Sequence, residues 1–111
     1  MKKILLVIVC GLLLFGCSKA KETDVYKIME ENDHIIVDVR TKEEYDESHI
    51  VNAINIPYDE IAKNVDLDKN KIIFVYCKSG NRSGIAYNTL TNLGYTVYDL
   101  GSFSSINLEK E

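Results

Sequence analysis

The residues best suited to chemistry lie in one loop, which opens with Cys77 in the run "CKSGNRSG". The apolar run "IIFVY" directly before it predicts a buried strand, so the thiol lies at the carboxyl end of a strand, where open α/β sheets bind ligands. A helix expected to begin near Arg82 or Ser83 directs its free N–H groups and its positive end at the loop. These surroundings lower the pKa of a thiol below its ordinary value of about 8.5 and favour the nucleophilic thiolate.

The rest of the loop has the composition of an anion-binding site. It supplies two cations, one glycine and two small polar residues, which are Lys78, Arg82, Gly80, Ser79 and Asn81. Gly80 allows backbone angles that turn amide groups inward, and a ring of inward amides forms an anion-binding nest. A lone cysteine can also be a buried apolar filler, but these neighbours favour a reactive thiolate.

Four short strands are predicted to carry this loop. Their sequences are β-branched or apolar runs bounded by polar residues: "HIIVDV", "AINIP", "KIIFVY" and "YTVYDL". The third run has no polar alternation, which is typical of a parallel strand covered on both faces. Strands that alternate with short helices indicate an α/β fold with a mostly parallel central sheet flanked by helices.

Four helices are predicted, one before the first strand and three between successive strands. They lie in "TDVYKIMEEN", with Thr23 as the N-cap, in "TKEEYDESH", in the weak segment "YDEIAKNV", and from Ser83 onward. Thr41 and Glu44 fit a capping box at the start of the second helix. Gly94 fits the C′ position of the fourth helix, whose apolar face is expected to contain Ala86, Leu90 and Leu93.

The N-terminal segment is predicted to lie outside this fold. The 12-residue apolar run "ILLVIVCGLLLF" is too short to span a bilayer, which needs roughly 20 residues. Together with the basic "MKK" before it, the run has the form of a secretory signal. "LFGC", which ends at Cys17, resembles the bacterial lipoprotein signal, in which the cysteine is lipidated and becomes the mature N-terminus. We therefore expect a signal peptide over 1–16, a lipidated N-terminus and short tether over 17–23, and one domain over 24–111. An uncleaved anchor and an ordinary signal peptide are the alternatives.

This N-terminus predicts an exported protein anchored by lipid to a bacterial membrane, at the outer face of the cytoplasmic membrane or on the periplasmic side. Of the three cysteines, Cys10 leaves with the signal and Cys17 carries the lipid, so Cys77 has no disulfide partner within the chain. The chain has 13 basic and 17 acidic residues. This acidic balance and the lack of a basic run argue against nucleic acid as a partner.

Two motifs in the proper order resemble the single-domain rhodaneses, a family of sulfurtransferases. They are "CKSGNRS", followed later by "LGY" and "VYDLGS", and the upstream segment "DVRTKEEYDESHIVNAINIP". The resemblance extends from about Val25 to Ile106 and implies a rhodanese-like domain over 24–111.

In terms of chemistry, the resemblance implies that Cys77 attacks the outer sulfur of thiosulfate or a persulfide, carries it as Cys–S–SH, and gives it to cyanide or a thiol. Arg82 would close the loop through an ion pair and hydrogen bonds. The substrate-binding set would be Lys78, Ser79, Gly80, Asn81, Arg82 and Ser83, acting through backbone amides. No metal or organic cofactor is implied. The expected partners are small sulfur-containing anions or thiols and, through the lipid, a membrane; we expect a monomer.

The upstream motif supplies residues expected to support the loop. Asp38 and Arg40 stand at the end of a predicted strand, where they would brace the loop or line its approach. Glu44 either pairs with Arg40 or serves only the capping box, and the sequence leaves both alternatives open. His49 is expected to be a structural hydrogen-bonding residue, because that is the role of the matching histidine in the family.

Several positions depart from the family pattern. Lys78 stands where arginine is common, and Ser48 and Asn52 replace glycines, although asparagine tolerates positive φ better than most residues. Ser102 replaces a glycine and Ile106 replaces a tryptophan, and the C-terminal tail is short. The differences at the C-terminal end fall on the acceptor side of the expected pocket and leave the sulfur-carrying loop unchanged.

Two other functions are compatible with such a loop. Related phosphatases and arsenate reductases have five residues between cysteine and arginine, which makes a ring wide enough for a tetrahedral oxyanion. Here the four residues of "KSGN" separate Cys77 from Arg82, so the shorter ring suits a single sulfur atom. The second alternative is a non-catalytic module that binds a persulfide, an anion or a protein partner.

Overall fold

A computed structural model describes residues 24–111, which form a four-stranded, all-parallel sheet flanked by helices. The strands are β1 (His34–Asp38), β2 (Ile54–Asn55), β3 (Ile72–Cys77) and β4 (Thr96–Ser102), in the order β2-β1-β3-β4. The helices are α1 (Val25–Glu31), α2 (Lys42–Glu47), α3 (Ile61–Asn64) and α4 (Asn81–Asn92), followed by a 3₁₀ turn over Phe103–Ser105. The predicted α/β class and all four strands are confirmed.

Strand β3 lies at the centre of the molecule and contributes to two cores. Ile73, Val75 and Cys77 belong to a cluster on one face of the sheet. Phe74 and Tyr76 belong to a second cluster, which also contains Ile106, Met29 and Ile50. Because successive side chains of a strand point to opposite faces, a run without polar alternation is required at this central position.

The helix starts follow from local capping, with one correction to the sequence prediction. Helix α1 is capped by Asp24, whose carboxylate accepts a hydrogen bond from the Lys27 N–H at 3.2 Å, so the choice of Thr23 was wrong. The polar side chain nearest to the first turn of the helix takes the role. Helix α2 has the predicted capping box between Thr41 and Glu44.

Helix α4 packs Ala86 and Leu90 against the first core, as predicted. Leu93 does not belong to that face: it is the C-cap residue and is 41% exposed, because the helical path ends before its side chain can turn inward. Gly94 follows with φ +99°, the left-handed geometry expected of a C′ glycine. Asn52 likewise adopts a positive φ of 73°, which confirms that asparagine takes over a turn position that otherwise favours glycine.

The strand order places a ligand-binding crevice at the ends of β1 and β3. From β1 the chain crosses to β2 on one side and then to β3 on the other side. Helices that leave these two strands diverge, which opens a crevice at their carboxyl ends. Asp38 ends β1 and Cys77 ends β3, so both lie at this position. Within residues 24–111, no helix is long and apolar enough to cross a membrane.

Candidate active site

The sulfur of Cys77 is the point at which backbone amides of the loop converge. The Gly80 N–H donates to Sγ at 2.9 Å and the Ser83 N–H donates to it at 3.2 Å. Gly80 adopts φ +98°, which turns the chain so that its amide faces back toward the strand. Cys77 itself has no exposed surface, so these amides and not bulk water are the hydrogen-bond donors to its sulfur.

Two opposing effects set the pKa of the Cys77 thiol. Burial raises the pKa because it penalises the thiolate, while hydrogen bonds from the Ser83 hydroxyl, the Ser83 N–H and the Gly80 N–H lower it. The hydrogen bonds outweigh burial, so the net pKa lies below the ordinary value for a cysteine. The loop therefore favours a nucleophilic thiolate inside the protein.

Ser83 has a hydroxyl that can serve both protonation states of the thiol. In the thiol state the Cys77 S–H donates to Ser83 Oγ at 3.5 Å, and that hydroxyl donates to the Gly80 carbonyl at 3.1 Å. When the thiol loses its proton, rotation of the Ser83 hydroxyl presents its hydrogen to the sulfur instead. Ser83 is fully buried, which keeps water from competing for the same sulfur.

Arg82 ties the loop to helix α2. Its two terminal nitrogens donate to Glu44 Oε1 at 2.9 Å and to Glu44 Oε2 at 3.2 Å, a two-point contact of guanidinium with carboxylate. The Arg82 guanidinium lowers the pKa of Glu44 to about 2. Glu44 also completes the capping box with Thr41, so it serves two partners, and the alternative of a pair with Arg40 is wrong.

A buried network braces the end of β1 beside the loop. Arg40 donates from Nε and Nη2 to the carboxylate of Asp38, with a shortest distance of 2.6 Å, and from Nη2 to the Ser48 carbonyl. The Tyr76 hydroxyl donates to Asp38 Oδ2 at 2.8 Å and accepts from the Ile50 N–H at 3.0 Å. Asp38 is fully buried and Arg40 is 5% exposed, so Asp38 and Arg40 form a desolvated, hydrogen-bonded pair rather than a surface one.

An open cavity of about 340 Å³ lies next to the loop. Its lining residues are Arg40, Glu44, Glu47, Ser48, Lys78, Phe103 and Ser104. The half-buried ring of Phe103 stacks on the ring of Tyr76, with 5.7 Å between the ring centroids. The guanidinium of Arg40 lies over the Phe103 ring, 4.3 Å from its centroid. Arg40 therefore belongs both to the buried brace and to the wall of the cavity.

The structure brings the sequence-predicted site residues to one place. Cys77 ends β3, Lys78, Ser79 and Gly80 form the loop, and the first turn of α4 contains Asn81, Arg82 and Ser83. Asp38 and Arg40 lie at the neighbouring strand end, where Val39 N–H donates to the carbonyl of Tyr76. Cys17, the predicted lipidation site, lies outside the described residues.

His49 is fixed by structural contacts. Its ring stacks on Tyr45 with centroids 3.9 Å apart, Nδ1 lies 2.9 Å from the Tyr45 carbonyl, and Nε2 lies 3.2 Å from Glu111 Oε2. The backbone groups of His49 and Glu111 also exchange two hydrogen bonds. The contacts with Tyr45 hold the ring against α2, and the contacts with Glu111 place His49 in the docking of the C-terminal segment.

Four cavity residues, Glu47, Ser48, Phe103 and Ser104, and the phenol of Tyr76 were not assigned to the site from the sequence. Tyr76 ends the apolar run "IIFVY", and that pattern by itself indicates only packing for the tyrosine. Its burial raises the pKa of the phenol, and its hydroxyl is a polar member of the brace. Glu47 and Phe103 gave no local signal, since they reach the site only through the packing of α2 and of the turn after β4.

The fold and the site together define a class of protein: a small parallel α/β domain whose one cysteine lies at the carboxyl end of the central strand and accepts hydrogen bonds from backbone N–H groups of the following loop. A family model described as the rhodanese-like domain matches residues 21–109, and the chain belongs to this family.

Relatives with known descriptions agree with this assignment. Thiosulfate sulfurtransferase PspE from Escherichia coli strain K12 is 38% identical over 78 residues, which cover 67% of this chain and 75% of that protein. A probable molybdopterin-synthase adenylyltransferase from Porphyra purpurea is 40% identical over 95 residues, and the match covers 77% of this chain but only 25% of that much longer protein. A solved rhodanese with anions from E. coli superposes with a TM-score of 0.66 at 35% identity, covering 70% of this chain and 96% of its own. This chain is thus a rhodanese-like domain related to sulfurtransferases.

Proposed function

We propose that the protein is a sulfurtransferase that carries a sulfane sulfur as a Cys77 persulfide. The observation that carries the proposal is the convergence of the Gly80 and Ser83 N–H groups on one cysteine sulfur. These donors lower the pKa of the thiol in spite of its burial, so the nucleophile is present as thiolate at a larger fraction than in a free cysteine. The similarity to a thiosulfate sulfurtransferase supports the same chemistry.

In the first half of the reaction, the Cys77 thiolate attacks the outer sulfur of thiosulfate. The S–S bond of thiosulfate breaks, sulfite leaves with the electron pair, and Cys77–S–S⁻ forms. In the second half, cyanide or a thiolate attacks the outer sulfur of the persulfide, and the electron pair returns to Cys77 as thiolate. Charge is conserved in both halves, and the loop amides stabilise an anionic sulfur in each state.

The test is a thiosulfate–cyanide assay combined with intact mass. We expect thiocyanate to form in a Cys77-dependent manner, and we expect thiosulfate to add the mass of one sulfur atom to the wild-type protein. Cys77→Ser is the matched control and should show neither result. Absence of the added sulfur in the wild type would refute the proposal. Binding of thiosulfate without transfer would instead support a non-catalytic sulfur-binding module.

The short ring argues against phosphoryl chemistry. Only the four residues of "KSGN" separate Cys77 from Arg82, and the Cys77 sulfur already occupies the point at which the amides converge. Phosphoryl transfer needs donors spaced around the three equatorial oxygens of its transition state, so it requires a wider ring. We therefore expect no hydrolysis of an aryl phosphate above the level of Cys77→Ser. Measurable Cys77-dependent hydrolysis would contradict this interpretation.

A further inference from the structure

The charges that line the cavity fall into two groups. Arg40 and Glu44 already have partners, because Arg40 pairs with Asp38 and Glu44 pairs with Arg82. Lys78 and Glu47 are exposed, and in the described part of the chain neither forms a salt bridge. The cavity therefore presents one uncommitted positive charge and one uncommitted negative charge to a ligand.

The size of the cavity suits an organic molecule. Its volume of about 340 Å³ lies at the lower end of the range of roughly 300–1,000 Å³ that is typical of small-molecule sites. A diatomic ion such as cyanide uses little of this space. The half-buried ring of Phe103 adds an apolar wall, against which a short carbon chain can pack. The cysteine loop contributes Lys78, the residue directly after the buried Cys77, to the wall of the cavity.

We propose that this cavity binds the sulfur acceptor, and that the acceptor is a small thiol carrying both a carboxylate and an ammonium group, as an amino-acid thiol does. Lys78 recognises the carboxylate and Glu47 recognises the ammonium group. The proposal rests on the proposed transfer of sulfur through Cys77 and adds the substrate class of its second half.

The transfer step balances without any further reactant. The acceptor thiolate R–S⁻ attacks the outer sulfur of Cys77–S–S⁻, a new S–S bond forms, and the bond between the outer sulfur and Cys77 breaks. The electron pair returns to Cys77 as thiolate, and the acceptor leaves as R–S–S⁻. The ring amides of Gly80 and Ser83 receive the returning negative charge on Cys77.

Three thiols separate the two charges of the ligand. L-cysteine carries both charges, cysteamine lacks the carboxylate, and 3-mercaptopropionate lacks the ammonium group. The full-length protein is first loaded with thiosulfate, freed of excess donor, and checked by intact mass. The loss of the persulfide is then followed against thiol concentration, with each concentration expressed as thiolate. This design separates two failures, since a protein that does not load refutes the proposed function, whereas the acceptor is tested only on loaded protein.

For each variant, the ratio of the rate constants for two thiols is compared with the same ratio for the wild type, so that the intrinsic reactivity of each thiol cancels. In Glu47→Gln, the rate constant for L-cysteine divided by that for 3-mercaptopropionate should fall about twofold to fivefold, the upper part of the range that exposed ion pairs produce. In Lys78→Gln, the ratio of L-cysteine to cysteamine should fall by a similar factor. Glu43→Gln on the same helix and Lys63→Gln on α3 remove the same charges from exposed positions outside the cavity, and should leave both ratios unchanged.

Three results would overturn the inference on protein that loads with sulfur. The ratios could remain unchanged in both cavity variants. They could fall equally in Glu43→Gln and Lys63→Gln, which would indicate a long-range effect of net charge. Finally, Glu47→Gln could alter the ratio of L-cysteine to cysteamine and leave that of L-cysteine to 3-mercaptopropionate unchanged. This result would mean that Glu47 affects recognition of the carboxylate and not of the ammonium group.

Discussion

Replacement of Glu44 by glutamine isolates the ion pair that ties the cysteine loop to helix α2. Glu44 accepts hydrogen bonds from Arg82 and also from the Thr41 N–H at 3.0 Å. A glutamine side chain retains an amide oxygen and is accepted at this position of a capping box. Glu44→Gln therefore removes the charge and weakens the contact with Arg82, while the start of the helix keeps its cap.

The upper limit of the magnitude follows from the pKa of Glu44, which Arg82, together with hydrogen bonds from Thr41, lowers from 4.5 to about 2. At about 1.36 kcal/mol per pKa unit, this shift corresponds to about 3 kcal/mol. Because the side chains of Arg82 and Glu44 are 25% and 27% exposed, water screens the pair, and we expect a contribution of about 1–2 kcal/mol. The folded-state pKa is depressed, so this stabilisation is fully present above pH 4.5 and is lost as the pH falls toward 2.

The assay is urea unfolding of the wild type and of Glu44→Gln at pH 7 and pH 3. The difference in the free energy of unfolding should be about 1–2 kcal/mol at pH 7 and should shrink to less than half of that value at pH 3. Glu43→Gln is the matched control, because it removes an equal charge from the same first turn. An equal difference at both pH values, or the same pH dependence in Glu43→Gln, would refute the assignment of the stabilisation to the pair with Arg82.

Four further predictions concern the thiol, the brace, a turn and the N-terminus. Ser83→Ala removes a donor to the thiolate and should raise the pKa of Cys77, measured as the pH midpoint of alkylation; an unchanged midpoint would contradict the role of the hydroxyl. Tyr76→Phe removes both hydrogen bonds of a buried phenol and should destabilise the protein by about 1–3 kcal/mol in urea unfolding, whereas a loss near zero would mean that the brace is not needed. Asn52→Val should cost on the order of 1 kcal/mol because φ is 73°, while Asn52→Gly should be tolerated; equal stabilities would argue against strain. Cys17→Ala should abolish the incorporation of labelled fatty acid into the protein expressed in a bacterium, and labelling that survives the change would count against lipidation of Cys17.

The features that the sequence predicted best are those that a single segment determines. Strand β3 was predictable because its apolar run has no polar alternation, and it is buried on both faces. The positive φ of Asn52 was predictable because few residue types tolerate that geometry. The cysteine loop was predictable because strand, glycine and helix start follow one another within "YCKSGNRSG", so local chain geometry brings the amides to the sulfur.

The features that escaped prediction depend on contacts between distant segments. Glu44 already had a local explanation in the capping box, and nothing in the sequence indicates its pairing with Arg82, 38 positions away. Tyr76 belongs to a strand whose apolar character hides the polar tip of its side chain. The cavity is formed by α2, the cysteine loop and the turn after β4, whose proximity is decided only when the sheet assembles. Cavity-lining residues such as Glu47 and Phe103 are therefore not evident from the sequence, whereas Cys77 and its loop are.

The cysteine loop also explains why burial and reactivity coexist at one sulfur. Burial of Cys77 alone would raise its pKa and leave an inert thiol, so the low pKa depends on donors that are buried with it. Two of these donors are backbone N–H groups, and their direction depends on the left-handed geometry of Gly80 rather than on any side chain. A Cβ placed on Gly80 would lie 3.9 Å from the Cα of Gly101, which is an ordinary contact, so a substitution there is opposed by backbone strain and not by lack of space. The lowered pKa of the thiol consequently depends on the path of the chain as well as on the Ser83 hydroxyl. Under the proposed function, the exposed side chains of the adjoining cavity are then free to contact the sulfur acceptor.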